Sequence, residues 1–326
     1  MGSCEVGRAH HIFGANRVQL RLTGRTCGAT LRQMFDPEEI LSAAARIEAA
    51  LPGAQAKACL RAVPNDRAVF SGHLNDVPAV FRLRLPEALA REEIAELRRM
   101  QPHMDGPDQI PLILAESGPV FALSMAAGTS VIQQMESPDH RTVLVARAAQ
   151  WLRRYTAPTE QTSQGQAKRF DLWLRKAAEQ SRRQPHPALA ALEAQVLDKM
   201  RTLAAPAVWR TAICHGDFHP GNLIYDGEVM TGIDTGGSAR LPLYKDIARF
   251  AAHAARRNLM IGTSRRFGVD AATLDHFSKA FTLNDEERTV LLPFFVGFEL
   301  LVRVESAKTP AWRLEIAEEM LRNYLC

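Results

Sequence analysis

The residue types best suited to chemistry are concentrated between Cys214 and Asp234. In this stretch, CHGDFHPGNLIYDGEVMTGID, Asp217 is followed five residues later by Asn222. Pro220-Gly221 disfavours a regular helix between them, so the spacing predicts a loop that can direct both polar side chains into one space. A carboxylate and an amide held in this way could orient a hydroxyl group or bind a cation.

The residues after Asn222 predict a β-hairpin. Leu223–Tyr225 and Val229–Ile233 are strand-like runs on either side of Asp226-Gly227, which is a strong hairpin signal. A hairpin brings its two ends together, so we expect Asn222 and Asp234 to lie close in space.

Two carboxylates and one amide oxygen are therefore expected at one point, from Asp217, Asn222 and Asp234. Hard oxygen ligands suit Mg²⁺, which takes one or two carboxylates and completes its coordination with water and phosphate. Phosphoryl transfer depends mainly on aligning the hydroxyl and neutralising charge on the phosphate oxygens. The three side chains are suited to both tasks.

The run His-Gly-Asp-x-x-x-x-Asn, followed by Ile-Asp, resembles that of the aminoglycoside phosphotransferase and choline kinase superfamily, relatives of the protein kinases. This resemblance implies an enzyme that uses ATP and Mg²⁺ to phosphorylate a small-molecule hydroxyl of the aminoglycoside, amino alcohol or sugar class. It implies that Asp217 is the catalytic base or orients the hydroxyl, and that Asn222 and Asp234 bind magnesium. It also implies that His215 braces the catalytic loop and that Asp246 supports it from the following helix.

Elements of a small sheet precede this region. Turn formers and apolar periodicity predict a helix from Asp36 to Leu51 and another over Ala88–Met100. Strands are predicted at Lys57–Val63, Arg67–Leu74, Val77–Leu85, Ile110–Ala115 and Val120–Met125. The first three of these strands form a predicted antiparallel meander.

The second half of the chain is predicted to be mostly helical. Helices are expected at Pro138–Tyr155, Arg169–Ser181 and Pro187–Leu203, with the polar segment Thr156–Lys168 as a loop. This order predicts an α+β fold in two lobes. By the resemblance, it is a protein-kinase-like fold with an antiparallel-sheet N-terminal lobe over residues 1–124, a hinge at 125–128 and a larger helical lobe over 129–326.

The resemblance also implies a nucleotide site in the first half. Arg82, on the third strand, aligns best with the basic residue that holds the α- and β-phosphates, and Glu93 is its expected helical partner. The run FALSMAAG resembles the hinge whose backbone contacts adenine, which implicates Ser124, Met125 and Ala126.

Two departures from the family pattern keep a second interpretation open. Arg82 stands where the family usually has Lys, and the turn Pro64-Asn65-Asp66 is short and lacks the glycines of a phosphate-covering loop. The alternative is a nucleotide-binding relative without turnover, acting as a sensor or scaffold. A third reading, a zinc hydrolase using His215 and His219, requires a helix that the surrounding glycines and proline disfavour.

The overall composition argues against a nucleic-acid-binding protein or a membrane protein. The 326 residues are 46% apolar and 23% charged with a net charge of +4, and the basic residues are scattered rather than gathered into a nucleic-acid-binding stripe. Five widely spaced cysteines without a CxxC pair indicate a reducing compartment. The longest apolar run, Leu291–Val302, is too short to cross a bilayer, so we expect a cytoplasmic protein without nucleic-acid or membrane partners.

The acceptor and the oligomeric state cannot be deduced from these patterns. Between Asn284 and Cys326 there are eight acidic and five basic residues. That excess favours a cationic acceptor weakly, but it fits a solvated helix face equally well.

Overall fold

The computed structural model describes residues 37–165, 167–205, 207–235 and 239–326. These residues form two compact units. The first contains the described residues up to Ala90 together with Leu114–Met125, and the second contains Arg91–Ile113 and the rest of the chain from Ala126. The predicted lobe boundary at residue 124 and the hinge at 125–128 stay predictions. Asp36, the expected start of the first helix, lies outside the described residues.

The helices agree closely with the apolar periodicity of the sequence. In chain order they are α1 (Pro37–Ala50), α2 (Glu87–Met100), α3 (Val131–Gln134), α4 (Pro138–Thr156), α5 (Ala167–Ser181), α6 (Pro187–Leu203), α7 (Tyr244–Ala255), α8 (Ala271–Phe281), α9 (Leu292–Leu301) and α10 (Ala311–Leu325). Among the described residues, none of the helices combines the length and apolar character needed to span a membrane.

The strands are mostly short. In chain order they are β1 (Ala54–Val63), β2 (Arg67–Leu74), β3 (Val77–Arg84), β4 (Asp108–Gln109), β5 (Ile113–Ser117), β6 (Val120–Ser124), β7 (Thr129–Ser130), β8 (Gln161–Gly165), β9 (Ala207–Cys214), β10 (Leu223–Tyr225), β11 (Met230–Gly232), β12 (Ala239–Pro242), β13 (Arg265–Arg266) and β14 (Val269–Asp270). Together with the helices they confirm the predicted α+β class.

The first unit is a sheet covered by α1. Its strands follow the order β1-β2-β3-β6-β5, and β2 pairs antiparallel with both β1 and β3. Every second residue of β2 is buried, as expected for a strand with one face on a core. Phe70 and its partner Phe81 are fully buried there, in a cluster with Ile40 and Ile47 of α1.

The second unit contains two small sheets that position the loop carrying Asp217. One has the order β12-β9-β8, so β9 is held by a neighbour on each side before it enters the loop. The other has the order β4-β11-β10-β7. Every residue of α9 is buried, as expected from its nearly continuous apolar sequence.

Two predictions about local structure were wrong. The strand expected at Ile110–Ala115 begins only at Ile113, because Pro111 has no N–H to donate to a sheet. The preceding Asp108–Gln109 pairs instead with β11 of the second unit. The segment Thr156–Lys168, expected to be a loop, contains β8, a polar strand without hydrophobic alternation.

A close backbone contact joins the last residue of the predicted hinge to the hairpin. Gly128 has a φ of +98°, and a Cβ at this position would lie 2.3 Å from the carbonyl oxygen of Tyr225. Immediately after it, β7 pairs antiparallel with β10. Gln134 on α3 secures the contact, because its side-chain amide donates to the same Tyr225 oxygen. This arrangement requires glycine at position 128.

Candidate active site

Asp217 lies on a tight loop that leaves the central strand β9. Gly216 has a φ of +82°, a left-handed conformation that favours glycine, and it turns the chain directly after His215. A short 3₁₀-helix, Pro220–Asn222, follows and leads into β10. The Asp217 side chain is 51% exposed, so the loop presents its carboxylate to solvent while neighbouring residues are buried.

The backbone of this loop is held by α7. The Gly216 N–H donates to both carboxylate oxygens of Asp246 at 3.2 Å, and the Lys245 ammonium donates to the Gly216 carbonyl at 3.3 Å. Both side chains are buried and lie in the first turn of α7. Hydrogen bonds to charged groups are stronger than neutral ones, so these contacts fix the residue next to Asp217.

His215 holds the loop from a second direction. Its Nε2 lies 2.9 Å from the carbonyl oxygen of Ile233, which can only accept, so Nε2 carries the proton. The remaining nitrogen, Nδ1, accepts from the Asp217 N–H at 3.4 Å. Burial lowers the pKa of His215, which favours this neutral form. The imidazole therefore links the loop to the end of β11.

The predicted hairpin is confirmed. Strands β10 and β11 pair antiparallel with Leu223 opposite Gly232, and the Ile233 N–H donates to the Asn222 carbonyl at 2.9 Å. Asp226 stabilises the turn by accepting from the two N–H groups that follow Gly227. Asn222 therefore lies beside the residue that precedes Asp234.

The oxygen chemistry at this end of the hairpin fits a divalent cation. The Asn222 Nδ2 donates to the Asp217 carbonyl at 2.9 Å, which orients the amide so that its other atom, Oδ1, is the one that could ligate a cation. Asp234 is exposed and has a φ of +61°, a conformation that Asp tolerates better than most residues. Within the described part of the chain, no group of three or more His, Cys, Asp or Glu side chains could hold a metal ion. An Asn–Asp pair completed by water and phosphate, as Mg²⁺ prefers, does not need such a group.

Arg249 contacts Asp217, and the sequence analysis did not identify it. Its Nη2 lies 2.5 Å from the Asp217 Oδ1. Partial burial raises the pKa of Asp217, but Arg249 and His219 lower it by more, so the net pKa lies below the usual range. The sequence does contain one indication of Arg249. It follows Asp246 by three residues, and residues three apart lie on the same face of a helix, so Arg249 should face the same loop as Asp246.

Two stacked histidines lie beside the Asp217 carboxylate. The rings of His219 and His253 are 4.3 Å apart and nearly parallel, and His219 Nε2 lies 3.8 Å from the Asp217 Oδ1. Burial lowers the pKa of His219 to about 4 and that of His253 to about 3. Both rings are therefore neutral at physiological pH. His219 Nδ1 accepts from the Gly221 N–H, and both nitrogens of His215 are engaged, which removes support for zinc binding at these positions.

The residues expected to bind nucleotide occupy both units. Arg82 is half-buried on β3 between Val69 and Phe121, and Glu93 is buried on α2. Ser124 ends β6, and Met125 and Ala126 follow it. Because Arg82 belongs to the first unit and Glu93 to the second, their pairing stays a prediction.

The chain is similar to known proteins in sequence pattern and in fold. The model of the family described as "Phosphotransferase enzyme family" matches residues 65–274. No curated protein matches the chain in sequence.

Several solved structures share the fold. They include an amicoumacin kinase in complex with AMP-PNP, Ca²⁺ and Ami (13% identity, 91% of this chain and 96% of that one, TM-score 0.57). An aminoglycoside phosphotransferase from Alicyclobacillus acidocaldarius is similar at 14% identity, 94% and 97% coverage and a TM-score of 0.53. A glucosamine kinase is similar at 17% identity, 82% and 79% coverage and a TM-score of 0.52. These similarities confirm the predicted kinase-like fold.

Proposed function

The chain belongs to the Phosphotransferase enzyme family, and from that membership we propose that it transfers the γ-phosphate of ATP, with Mg²⁺, to a hydroxyl of a small molecule. The acceptor would be of the aminoglycoside, amino alcohol or sugar class. One observation carries the proposal: Asp217 presents an exposed carboxylate from a loop whose backbone is held by Asp246, Lys245 and His215.

Asp217 would orient the acceptor hydroxyl and take its proton. Its lowered pKa keeps the carboxylate ionised at neutral pH, so it can accept a hydrogen bond from the incoming hydroxyl. A group with this pKa is a weak base. That is sufficient for a loose phosphoryl-transfer transition state, in which position and charge stabilisation contribute more than proton abstraction before attack.

Asn222 and Asp234 would hold Mg²⁺, through the amide oxygen and the carboxylate. When bound, the ion supplies positive charge that neutralises the phosphate oxygens during transfer. The hairpin hydrogen bond between Ile233 and Asn222 supports this assignment, because it fixes the spacing of the two ligands.

The nucleotide would bind through the residues that the family resemblance implicates. Arg82, with Glu93 orienting it, would contact the α- and β-phosphates, and the backbone at Ser124, Met125 and Ala126 would contact adenine. The AMP-PNP complex of the amicoumacin kinase supports a nucleotide in this fold.

A screen of acceptors that monitors ADP release tests the proposal. We expect Mg²⁺-dependent ADP release above the rate without acceptor, and we expect Asp217→Asn to reduce turnover at least about a hundredfold. Asp275→Asn, an exposed carboxylate change on α8, is the matched control and should leave turnover unchanged.

Two outcomes would contradict this assignment. Undiminished activity of Asp217→Asn would remove Asp217 from the mechanism. Stabilisation by nucleotide without phosphate transfer to any acceptor would instead support the nucleotide-binding relative without turnover.

A further inference from the structure

The two groups that contact the Asp217 side chain approach the same oxygen atom. Arg249 Nη2 lies 2.5 Å from Oδ1, and His219 Nε2 lies 3.8 Å from it. Among the described residues, no hydrogen bond or ion pair involves the other oxygen, Oδ2. The Asp217 side chain is 51% exposed, whereas those of Arg249 and His219 are 22% and 18% exposed. The protein therefore engages one oxygen of the carboxylate and leaves the other without a partner.

Arg249 is anchored by a buried carboxylate on α9. Its Nη1 lies 3.8 Å from Glu299 Oε1 while its Nη2 contacts Asp217, so the guanidinium bridges two carboxylates. Glu299 is fully buried and is itself surrounded by further cations, with Lys245 Nζ at 3.6 Å and Arg303 Nε at 3.7 Å. A planar guanidinium that faces two carboxylates through different nitrogens has a defined orientation. It therefore holds Oδ1 in one place.

His219 presents a donor to the same oxygen. Its Nδ1 accepts from the Gly221 N–H at 3.0 Å, so in the neutral ring the proton lies on Nε2, the nitrogen nearest Asp217. Burial lowers the pKa of His219 to about 4, which keeps the ring neutral at physiological pH. The contact of 3.8 Å is longer than a hydrogen bond. Catalytic hydrogen bonds are often long in the absence of substrate and shorten in the complex.

The local packing fixes the orientation of the His219 ring. Gly221 lies so close to it that a Cβ at position 221 would be 2.9 Å from Cε1 and 3.0 Å from Nδ1. The His253 ring stacks on His219, with centroids 4.3 Å apart and planes inclined by 8°. Because one ring nitrogen is hydrogen-bonded and one face is covered, Nε2 stays directed at Asp217.

We propose that Arg249 and His219 are positioning residues that hold Asp217 through Oδ1, so that Oδ2 is the oxygen that meets the acceptor hydroxyl. This inference rests on the proposed function and specifies the reacting atom of Asp217. In the transfer step the hydroxyl oxygen forms a bond to the γ-phosphorus, and the bond from that phosphorus to the β,γ-bridging oxygen breaks. ADP leaves with the electron pair, and the hydroxyl proton passes to Oδ2.

Two substitutions of His219 separate positioning from local folding. An Asn side chain can place its Oδ1 near the position of Nδ1 and accept from Gly221, since Asn is favoured at helix starts, but it is too short to reach Asp217. A Gln side chain can place its amide N–H near the position of Nε2 and donate to Asp217, but it does not replace the Nδ1 acceptor.

Turnover of these variants is measured as ADP release with the best acceptor of the screen described above. We expect His219→Asn to lower kcat at least about tenfold with KM changed less than about threefold, because alignment is lost while binding is kept. His219→Gln should keep kcat within about threefold of the unsubstituted protein, although it should unfold at a lower urea concentration than His219→Asn. His140→Asn, an exposed change on α4, should leave kcat unchanged.

The same measurements can contradict a positioning role for His219. An unchanged kcat in His219→Asn overturns the inference. A loss of kcat in His219→Gln as large as that in His219→Asn also overturns it, because the donor near Nε2 would then restore nothing. In that case His219 would act only through the folding of the loop.

Arg249→Lys tests the second positioning residue. Lysine keeps the positive charge but has one nitrogen, so it cannot face Glu299 and Asp217 through separate atoms. We expect kcat to fall at least about tenfold with little change in KM. Arg257→Lys, an exposed change just beyond α7, is the control. An undiminished kcat in Arg249→Lys would overturn the inference, because charge alone would then be sufficient.

Crystal structures with Mg²⁺ and AMP-PNP test the inference without turnover. We expect a single orientation of the Asp217 carboxylate in the unsubstituted protein and in His219→Gln, and a rotated or second orientation in His219→Asn. The same single orientation in all three proteins overturns the inference and leaves the proposed function intact. If no acceptor supports ADP release, the proposed function fails, whereas the orientation of Asp217 still decides whether His219 positions it.

Discussion

The Nη2 nitrogen of Arg249 lies 2.5 Å from the Oδ1 oxygen of Asp217. Helix α7 thus acts on the proposed catalytic loop twice. Asp246 in its first turn accepts from the Gly216 backbone, and Arg249, one turn later, contacts the exposed carboxylate. The same helix therefore holds the backbone beside Asp217, through Asp246, and places a cation on its carboxylate, through Arg249. Substitution of each residue separates the two effects.

Substitution of Arg249 should change the pH dependence of turnover. Arg249→Met replaces arginine with another unbranched side chain and removes the cation that lowers the pKa of Asp217. The pKa of Asp217 then rises, so we expect the acid limb of the kcat profile to move to higher pH. Arg257→Met, an exposed change just beyond α7, is the control. An acid limb that stays in place would show that Arg249 does not control Asp217.

Substitution of Asp246 should show how much its hydrogen bonds to Gly216 stabilise the loop that carries Asp217. Asp246→Ala leaves the Gly216 N–H without its acceptor, and loss of such a buried bond costs about 1–3 kcal/mol in the free energy of unfolding. Asp246→Asn keeps one oxygen and should lose less. Urea denaturation of both variants, with kcat measured in parallel, checks this order. Equal stability of the alanine variant and the unsubstituted protein would contradict the supporting role.

The stacked histidines should make the protein less stable in acid. Their folded-state pKa values of about 4 and about 3 lie below the ordinary value near 6.5, so below that pH the unfolded chain binds protons that the folded protein does not. Stability falls as the pH drops through this window, by about 1.4 kcal/mol per pH unit for each histidine involved.

His253→Phe keeps a ring that can stack on His219 and removes one imidazole that would take up a proton on unfolding. We expect the loss of stability between pH 7 and pH 5, measured by urea denaturation, to be smaller than in the unsubstituted protein. His140→Gln, at an exposed position on α4, should not reduce it. An identical pH dependence for His253→Phe would exclude the stacked pair as its cause.

Removal of Asp234 should weaken the response to magnesium. Asp234→Ala deletes one of the two proposed ligands, so the thermal stabilisation by AMP-PNP in the presence of Mg²⁺ should fall towards that measured with EDTA. Asp275→Ala on α8 is the control. A full Mg²⁺-dependent shift in Asp234→Ala would mean that the ion binds elsewhere.

Much of the architecture was predictable because its signals are local. The hairpin after Asn222 follows from Asp226-Gly227 between two apolar runs, and the helices follow from apolar periodicity. Membership of the phosphotransferase family confirms the resemblance inferred from the residues around Asp217. The nucleotide residues Arg82 and Glu93 stay predictions, as do the roles of the metal ligands.

The features that the sequence did not reveal depend on contacts between distant segments. Strand β8 is polar and unalternated, so only its pairing with β9 identifies it. Glu299 follows Arg249 by fifty residues, and its burial among three cations has no signature in a composition count. The pairing of six of the eight acidic residues after Asn284 with arginine or lysine was not predictable either, because a count cannot reveal which acids are paired.

Gly128 lies outside the Asp217 loop but contacts the hairpin that carries the proposed metal ligands. Its backbone rests against Tyr225, at the far end of a three-residue strand whose other end adjoins Asn222. Any larger residue at 128 must displace Tyr225, and the strand can pass that displacement to Asn222, three residues earlier in the chain. If Asn222 binds the cation as proposed, glycine at 128 is a remote determinant of that site, and an inactivating change at 128 need not indicate a contact with substrate.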